Sequence, residues 1–89
     1  MTFQENLEQM SSLYSKKNKD YGNSFDATLN EFGIVAGVIR MNDKMGRLKR
    51  LIHNKAEVKD ESIADTLIDL ANYAIMTLTW YQNDLSSNE

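Results

Sequence analysis

The chain has no cysteine, no proline, one histidine and four glycines among its 89 residues. Without cysteine there can be no disulfide scaffold, cysteine-ligated zinc, iron–sulfur cluster or thiol nucleophile, and a single histidine excludes a multi-histidine metal site within one chain. Any metal chemistry would have to run on carboxylates. No apolar run approaches the roughly 20 residues that a membrane-spanning helix needs, and the opening MTFQENLEQM is polar and acidic, unlike a secretory signal. A cytoplasmic location with no membrane attachment is expected. Basic charge is not in excess either: Lys and Arg number 10 against 13 Asp and Glu, for a formal charge of -3. That balance argues against general nucleic-acid binding, whose affinity comes mainly from neutralising phosphates.

What is present is ordinary globular composition, 42% hydrophobic and 26% charged, in a length that suits one domain over 1–89. A core of this size contributes only about 3–5 kcal/mol before any staple, so a homo-oligomer is expected to complete the fold. With proline absent and apolar residues recurring every three or four positions, the fold class reads as all-α, a compact bundle of three to four helices. Thr2 and Glu5 form a capping box for a first helix whose apolar stripe is Phe3, Leu7, Met10 and Tyr14. That helix is expected to fade in the polar run SKKNKD. Tyr21-Gly22-Asn23-Ser24 reads as a turn, with glycine supplying positive φ and Ser24 capping a short helix that Gly33 ends. A helix from about Ile34 to His53 places Ile34, Val38, Met41, Met45, Leu48 and Ile52 on one face, read as core. After a connecting loop, Asp60 caps a last helix reaching about Gln82, with a frayed tail over 83–89. More than half of that helix's circumference is apolar, which implies burial on several sides.

The strongest positive cluster is Arg40, Lys44 and Arg47, spaced i, i+4 and i+7 and flanked by Asp43 and Arg50. On the last helix Asp65, Asp69 and Asn72 project together. Three readings of the acids stand side by side. They could hold Mg²⁺ jointly, they could pair with Arg40, Lys44 or Arg47, which the spacing favours since buried charges persist only when paired, or the mixed seam could bind a nucleotide. In the last case the basic groups would take phosphate, and aspartate or Asn72 would take ribose or base edges. Tyr14, Tyr21, Phe25, Tyr73 and Trp80 are flat enough to stack on a base, though most fit core or interface positions. Tyr21 stands out, lying in a polar turn with no apolar periodicity to explain it. Lys16, Lys17 and Lys19 read as solvated, and no phosphate loop or histidine triad is present.

The strings KDYGNSF (19–25), EFGIVAGVIRMNDKMGRLKRL (31–51) and VKDESIADTLIDLANYAIM (58–76) resemble the nucleotide modification associated domain 1 family, small proteins common in bacteriophages. The resemblance spans roughly 16–81, and its turn, R-x-x-D-K-x-x-R helix and D-x-x-x-D-x-x-N helix occur in order. It implies a tie to nucleotide metabolism in an infected bacterial host. It carries Lys19, Tyr21, Arg40, Asp43, Lys44, Arg47, Asp65, Asp69 and Asn72 forward as ligand-binding positions. The family is also similar in outline to MazG-type nucleoside triphosphate pyrophosphohydrolases, which bind Mg²⁺ through E-x-x-E and E-x-x-D pairs. Here Glu31 lacks a second acid three residues away and Ser62 stands where a glutamate of the second pair would fall, which lowers the expected hold on Mg²⁺.

The expected function is therefore a nucleotide-binding protein, holding a phosphate-bearing nucleotide or a nucleotide-derived immune signal of cyclic dinucleotide or cyclic ADP-ribose type, without a required cofactor. Two alternatives are a Mg²⁺-dependent pyrophosphohydrolase using Asp65 and Asp69 as metal ligands, and a non-catalytic protein-interaction module.

Overall fold

A computed structural model describes residues 1–21, 23–54 and 60–87, with side chains described throughout these except at 19–21, 60, 61 and 87. Four helices make up the fold: α1 (Phe3–Tyr21), α2 (Ser24–Phe32), α3 (Val35–His53) and α4 (Asp60–Ser87). The described residues contain no strand, so the all-α bundle expected from the periodicity is what forms. None of these helices is long and apolar enough to cross a membrane.

Local chemistry accounts for most helix ends. At α1 the capping box is closed in both directions. The Thr2 hydroxyl accepts the Glu5 N–H at 3.1 Å and the Glu5 carboxylate accepts the Thr2 N–H at 3.0 Å, satisfying donors that a helix start leaves without partners. α1 does not fade at the polar run but continues to Tyr21, because a tertiary contact at Lys17 holds its last turns against α4. Asn23, not Ser24, is the residue preceding α2, in a left-handed conformation at φ 59°. Its carbonyl accepts the Ala27 N–H at 3.2 Å. Asparagine tolerates this region better than most residues, so the turn needs no glycine at that position; Gly22 lies outside the described residues. Gly33 ends α2 as expected, at φ 79° with its N–H bonded to the Leu29 carbonyl at 2.7 Å.

α4 carries on to Ser87, five residues beyond the expected end at Gln82. Leu85 continues the apolar period there, and the Ser86 hydroxyl donates to the Gln82 carbonyl at 3.1 Å.

The core is thin. Its buried apolar side chains among the described residues are Leu29, Ala36 and Leu48, with Thr66 and Thr77 buried beside them. Both threonines are satisfied by donating back along α4, Thr66 to the Ser62 carbonyl at 2.6 Å and Thr77 to the Tyr73 carbonyl at 2.7 Å. α3 and α4 run antiparallel, since Gly37 meets Thr77 near one end and the Arg47 Nε donates to the Thr66 hydroxyl at 3.2 Å near the other. This crossing is built on small residues, and it rotates α3 away from the expected core face. Leu48 is buried, but Ile34, Val38, Met45 and Ile52 from that face stand half exposed.

A side chain at Gly37 tests the crossing. A Cβ there would come within 2.6 Å of the Thr77 Cγ2, and Thr77 is held by its hydroxyl bond. Overpacking of this kind costs about 1–3 kcal/mol, set against about 1 kcal/mol of helix propensity that alanine adds over glycine. Gly37→Ala is expected to lower stability in urea denaturation, and the same substitution in a Thr77→Ala background to raise it.

Candidate functional site

Three helices meet at one carboxylate. Asp69 of α4 accepts the Lys17 ammonium of α1 on Oδ1 at 3.0 Å and the Lys44 ammonium of α3 on Oδ2 at 3.2 Å. The Asp69 side chain is 21% exposed, Lys44 28% and Lys17 53%. Partial burial alone would push the Asp69 carboxyl up, but the two lysines outweigh it and hold it below its ordinary value of 3.8. Their charge-assisted bonds favour the ionised form. Of the partners expected for the acids, Lys44 is therefore the one that pairs. Lys17 reads as solvated from its local run, yet it closes the clamp from 52 residues away in sequence.

Beside this clamp lies a cavity of about 290 Å³ between α1, α2 and α4. Tyr14, Phe25 and Tyr73 supply its aromatic wall, with Phe25 and Tyr73 packed edge to face at 5.1 Å between ring centres. Asn18, Asn23, Asn72, Lys17 and Asp69 give it a polar rim. Each element has a reason to sit there. The Trp80 indole N–H donates to the Asn30 side chain at 2.9 Å, tying α2 to α4. The Asn72 amide donates to the Met10 carbonyl at 3.3 Å, tying α1 to the same helix. That bond uses the NH₂ group of Asn72 and leaves its amide oxygen without a partner among the described residues. A second cavity of about 490 Å³ shares Tyr14, Asn72 and Met76 with the first and runs on along α1 and α4 past Leu7, Met10 and Ile75.

The nine residues expected to bind ligand are only partly gathered. Asp69 and Asn72 line the first cavity, and Lys44, outside that lining, pairs with Asp69 from behind it. Arg47 is engaged with Thr66 instead. Arg40, Asp43 and Asp65 are exposed, outside both cavities, and have no hydrogen-bond or ion-pair partner among the described residues. Tyr21 lies in the last turn of α1 and not in a loop; the side chains of Lys19 and Tyr21 fall outside the described set. The residues that sequence reasoning missed are Lys17, Asn18 and Asn23. Lys17 carried no local signal, since it sits in a polar run that reads as solvated and its partner is set only by the three-dimensional fold.

The Mg²⁺ reading fits poorly. Both oxygens of Asp69 are occupied by ammonium groups, Asp65 is exposed, and no cluster of three His, Cys, Asp or Glu that could hold a metal occurs among the described residues. A divalent cation at Asp69 would have to displace two like-charged neighbours.

The clamp has a definite pH signature. Because the folded-state value of Asp69 is lowered, its stabilisation is fully present above the unfolded value near pH 4 and is lost as pH falls through the folded value. Asp69→Asn is expected to reduce stability by on the order of 1 kcal/mol at pH 7. The gap to the unsubstituted chain should hold down to about pH 5 and close below about pH 4. Urea midpoints measured across that range check it, and a gap that persisted at pH 2.5 would contradict the ion-pair account.

The geometry can be set beside known proteins. No curated protein and no solved structure gives a match. The sequence model described as nucleotide modification associated domain 1 matches residues 17–79, a span that begins at Lys17 and takes in Lys44, Asp69, Tyr73 and nearly all of the cavity wall. By that match the chain belongs to the nucleotide modification associated domain 1 family.

Proposed function

We propose that the protein binds a phosphate-bearing nucleotide, or a signal built from one, without hydrolysing it. The observation that carries this reading is the convergence on one cavity of an aromatic wall, amide groups and the Lys17–Asp69 pair, with Lys44 behind Asp69. A base presents a flat π-face that Tyr14, Phe25 and Tyr73 can meet. Asn18, Asn23 and the free oxygen of Asn72 offer donors and acceptors for base edges or ribose hydroxyls. Lys17 and Lys44 supply positive charge for phosphate. Asp69 fixes both ammonium groups within 3.0 and 3.2 Å of its oxygens, so little ordering remains when an anion arrives.

This places the binding groups on the α1 and α2 side of α4, with Arg40 left out of it. At about 290 Å³ the first cavity lies near the lower end of small-molecule sites, which begin at roughly 300 Å³, and suits one nucleoside. The adjoining cavity of about 490 Å³ gives room for a second ring system, which makes cyclic dinucleotides and cyclic ADP-ribose variants the informative probes beside simple nucleotides.

Titration calorimetry of the protein against nucleoside mono-, di- and triphosphates and those cyclic compounds tests the proposal. A member of the panel is expected to bind and to be recovered chemically intact. Lys17→Ala should weaken that binding by about 1.5–3 kcal/mol, roughly 10- to 150-fold in Kd, and Arg40→Ala should leave it unchanged. Absence of binding by the folded protein, or equal losses in the two variants, would contradict it.

A further inference from the structure

The covered flank of α4 carries Asp69, Asn72, Met76 and Trp80, all turned toward α1 and α2. Its other flank carries an unbroken heptad seam. Ala64, Leu67, Ala71, Ala74, Leu78, Tyr81 and Leu85 are spaced 3, 4, 3, 4, 3 and 4 residues apart, the spacing that keeps one stripe facing a partner helix. No charge interrupts it. Between 64 and 83 the only charged residues of α4 are Asp65 and Asp69, which occupy positions away from the seam.

The exposed stripe of α3 belongs to the same surface. Since α3 runs antiparallel to α4 and turns Ala36 and Lys44 toward the covered flank, Ile34, Val38, Met45 and Ile52 emerge on the side where the α4 seam lies. The eight large apolar residues of this two-helix face are each between 42% and 52% exposed. They offer on the order of 700 Å² per copy, so a pair would bury on the order of 1,400 Å², within the range of about 1,200–2,000 Å² for stable interfaces. An apolar surface of that extent is unusual on a monomer.

We propose that a second copy of this chain covers the face, with the two α4 helices packed antiparallel about a twofold axis. The seam is self-complementary only in that direction. Its first half is small apart from Leu67, and its second half is large, so an antiparallel pairing sets Ala71 against Tyr81 of the second copy and Ala74 against Leu78, with Leu67 meeting Leu85 at the ends. A parallel pairing would stack alanine on alanine and leave voids, which cost packing energy. The twofold axis passes near residue 76, and the apolar stripe of α3 in each copy closes the contact beside the α4 pair. The cavity beside Asp69 opens on the opposite flank and stays accessible.

The test is the mass of the full chain in solution by sedimentation equilibrium at micromolar concentration. A dimer, twice 10.2 kDa, is expected. Ala74→Glu and Leu78→Glu, both at positions exposed in the single chain, should each return a monomer whose circular dichroism remains helical. Direction is read separately, because the chain contains no native cysteine. Mild oxidation should cross-link Ala74→Cys chains to Leu78→Cys chains, which the antiparallel pairing sets opposite each other, and should leave Leu67→Cys chains uncrosslinked. A monomeric wild-type chain, charge variants that still associate, or the reverse cross-linking pattern would overturn the proposal.

Discussion

Asp69 is the carboxylate through which α1 and α3 are both tied to α4, and the placement of the cavity depends on it. A single ion pair at a surface contributes little. Here one partly buried acid satisfies two lysines from different helices, so its removal would leave two positive charges facing each other at the junction. The other ties between α4 and its neighbours are polar as well: Trp80 to Asn30, Asn72 to the Met10 backbone and Arg47 to Thr66. A fold with three buried apolar side chains among its described residues cannot rely on hydrophobic burial alone to orient its helices. It uses directional contacts on one flank of α4 to do so.

That arrangement divides the molecule into two surfaces with different chemistry. One flank of the α3–α4 pair is covered by α1 and α2 and holds aromatic rings, amides and the lysine clamp around the cavities. The opposite flank is bare, apolar and periodic. The division follows from the crossing at Gly37 and Thr77. Small residues at that point let α3 lie close to α4, but rotated so that four of the six residues of its apolar stripe face outward. The same rotation that brings Lys44 to Asp69 therefore exposes Val38, Met45 and Ile52.

Much of this was legible in the sequence, and the failures share a cause. The number and class of helices, the Thr2–Glu5 capping box, the stop at Gly33 and the pairing of Asp69 with Lys44 all follow from spacing within about a turn or two, or from one expected helix pair. Lys17 was not legible, because its partner lies 52 positions away and its own neighbourhood looks like a solvated run. The core face of α3 was misplaced because the apolar period counts residues equally. It cannot tell that Gly37, which has no side chain, marks the line of closest approach. Arg40 and Asp43 looked like members of a basic seam with Lys44, but both are exposed and without a partner among the described residues, and Lys44 alone of the three reaches Asp69. The relevant grouping was across helices, not along one.

Backbone and side-chain chemical-shift mapping by NMR, during titration with the tightest-binding nucleotide, tests the central claim most directly, because it reports which flank of α4 meets the ligand. The account predicts shifts at Tyr14, Lys17, Phe25, Asp69, Asn72 and Tyr73, with Arg40, Leu67 and Leu78 unmoved. Shifts centred on Arg40, Asp65 or the apolar seam, with Lys17 and Tyr73 unaffected, would contradict it.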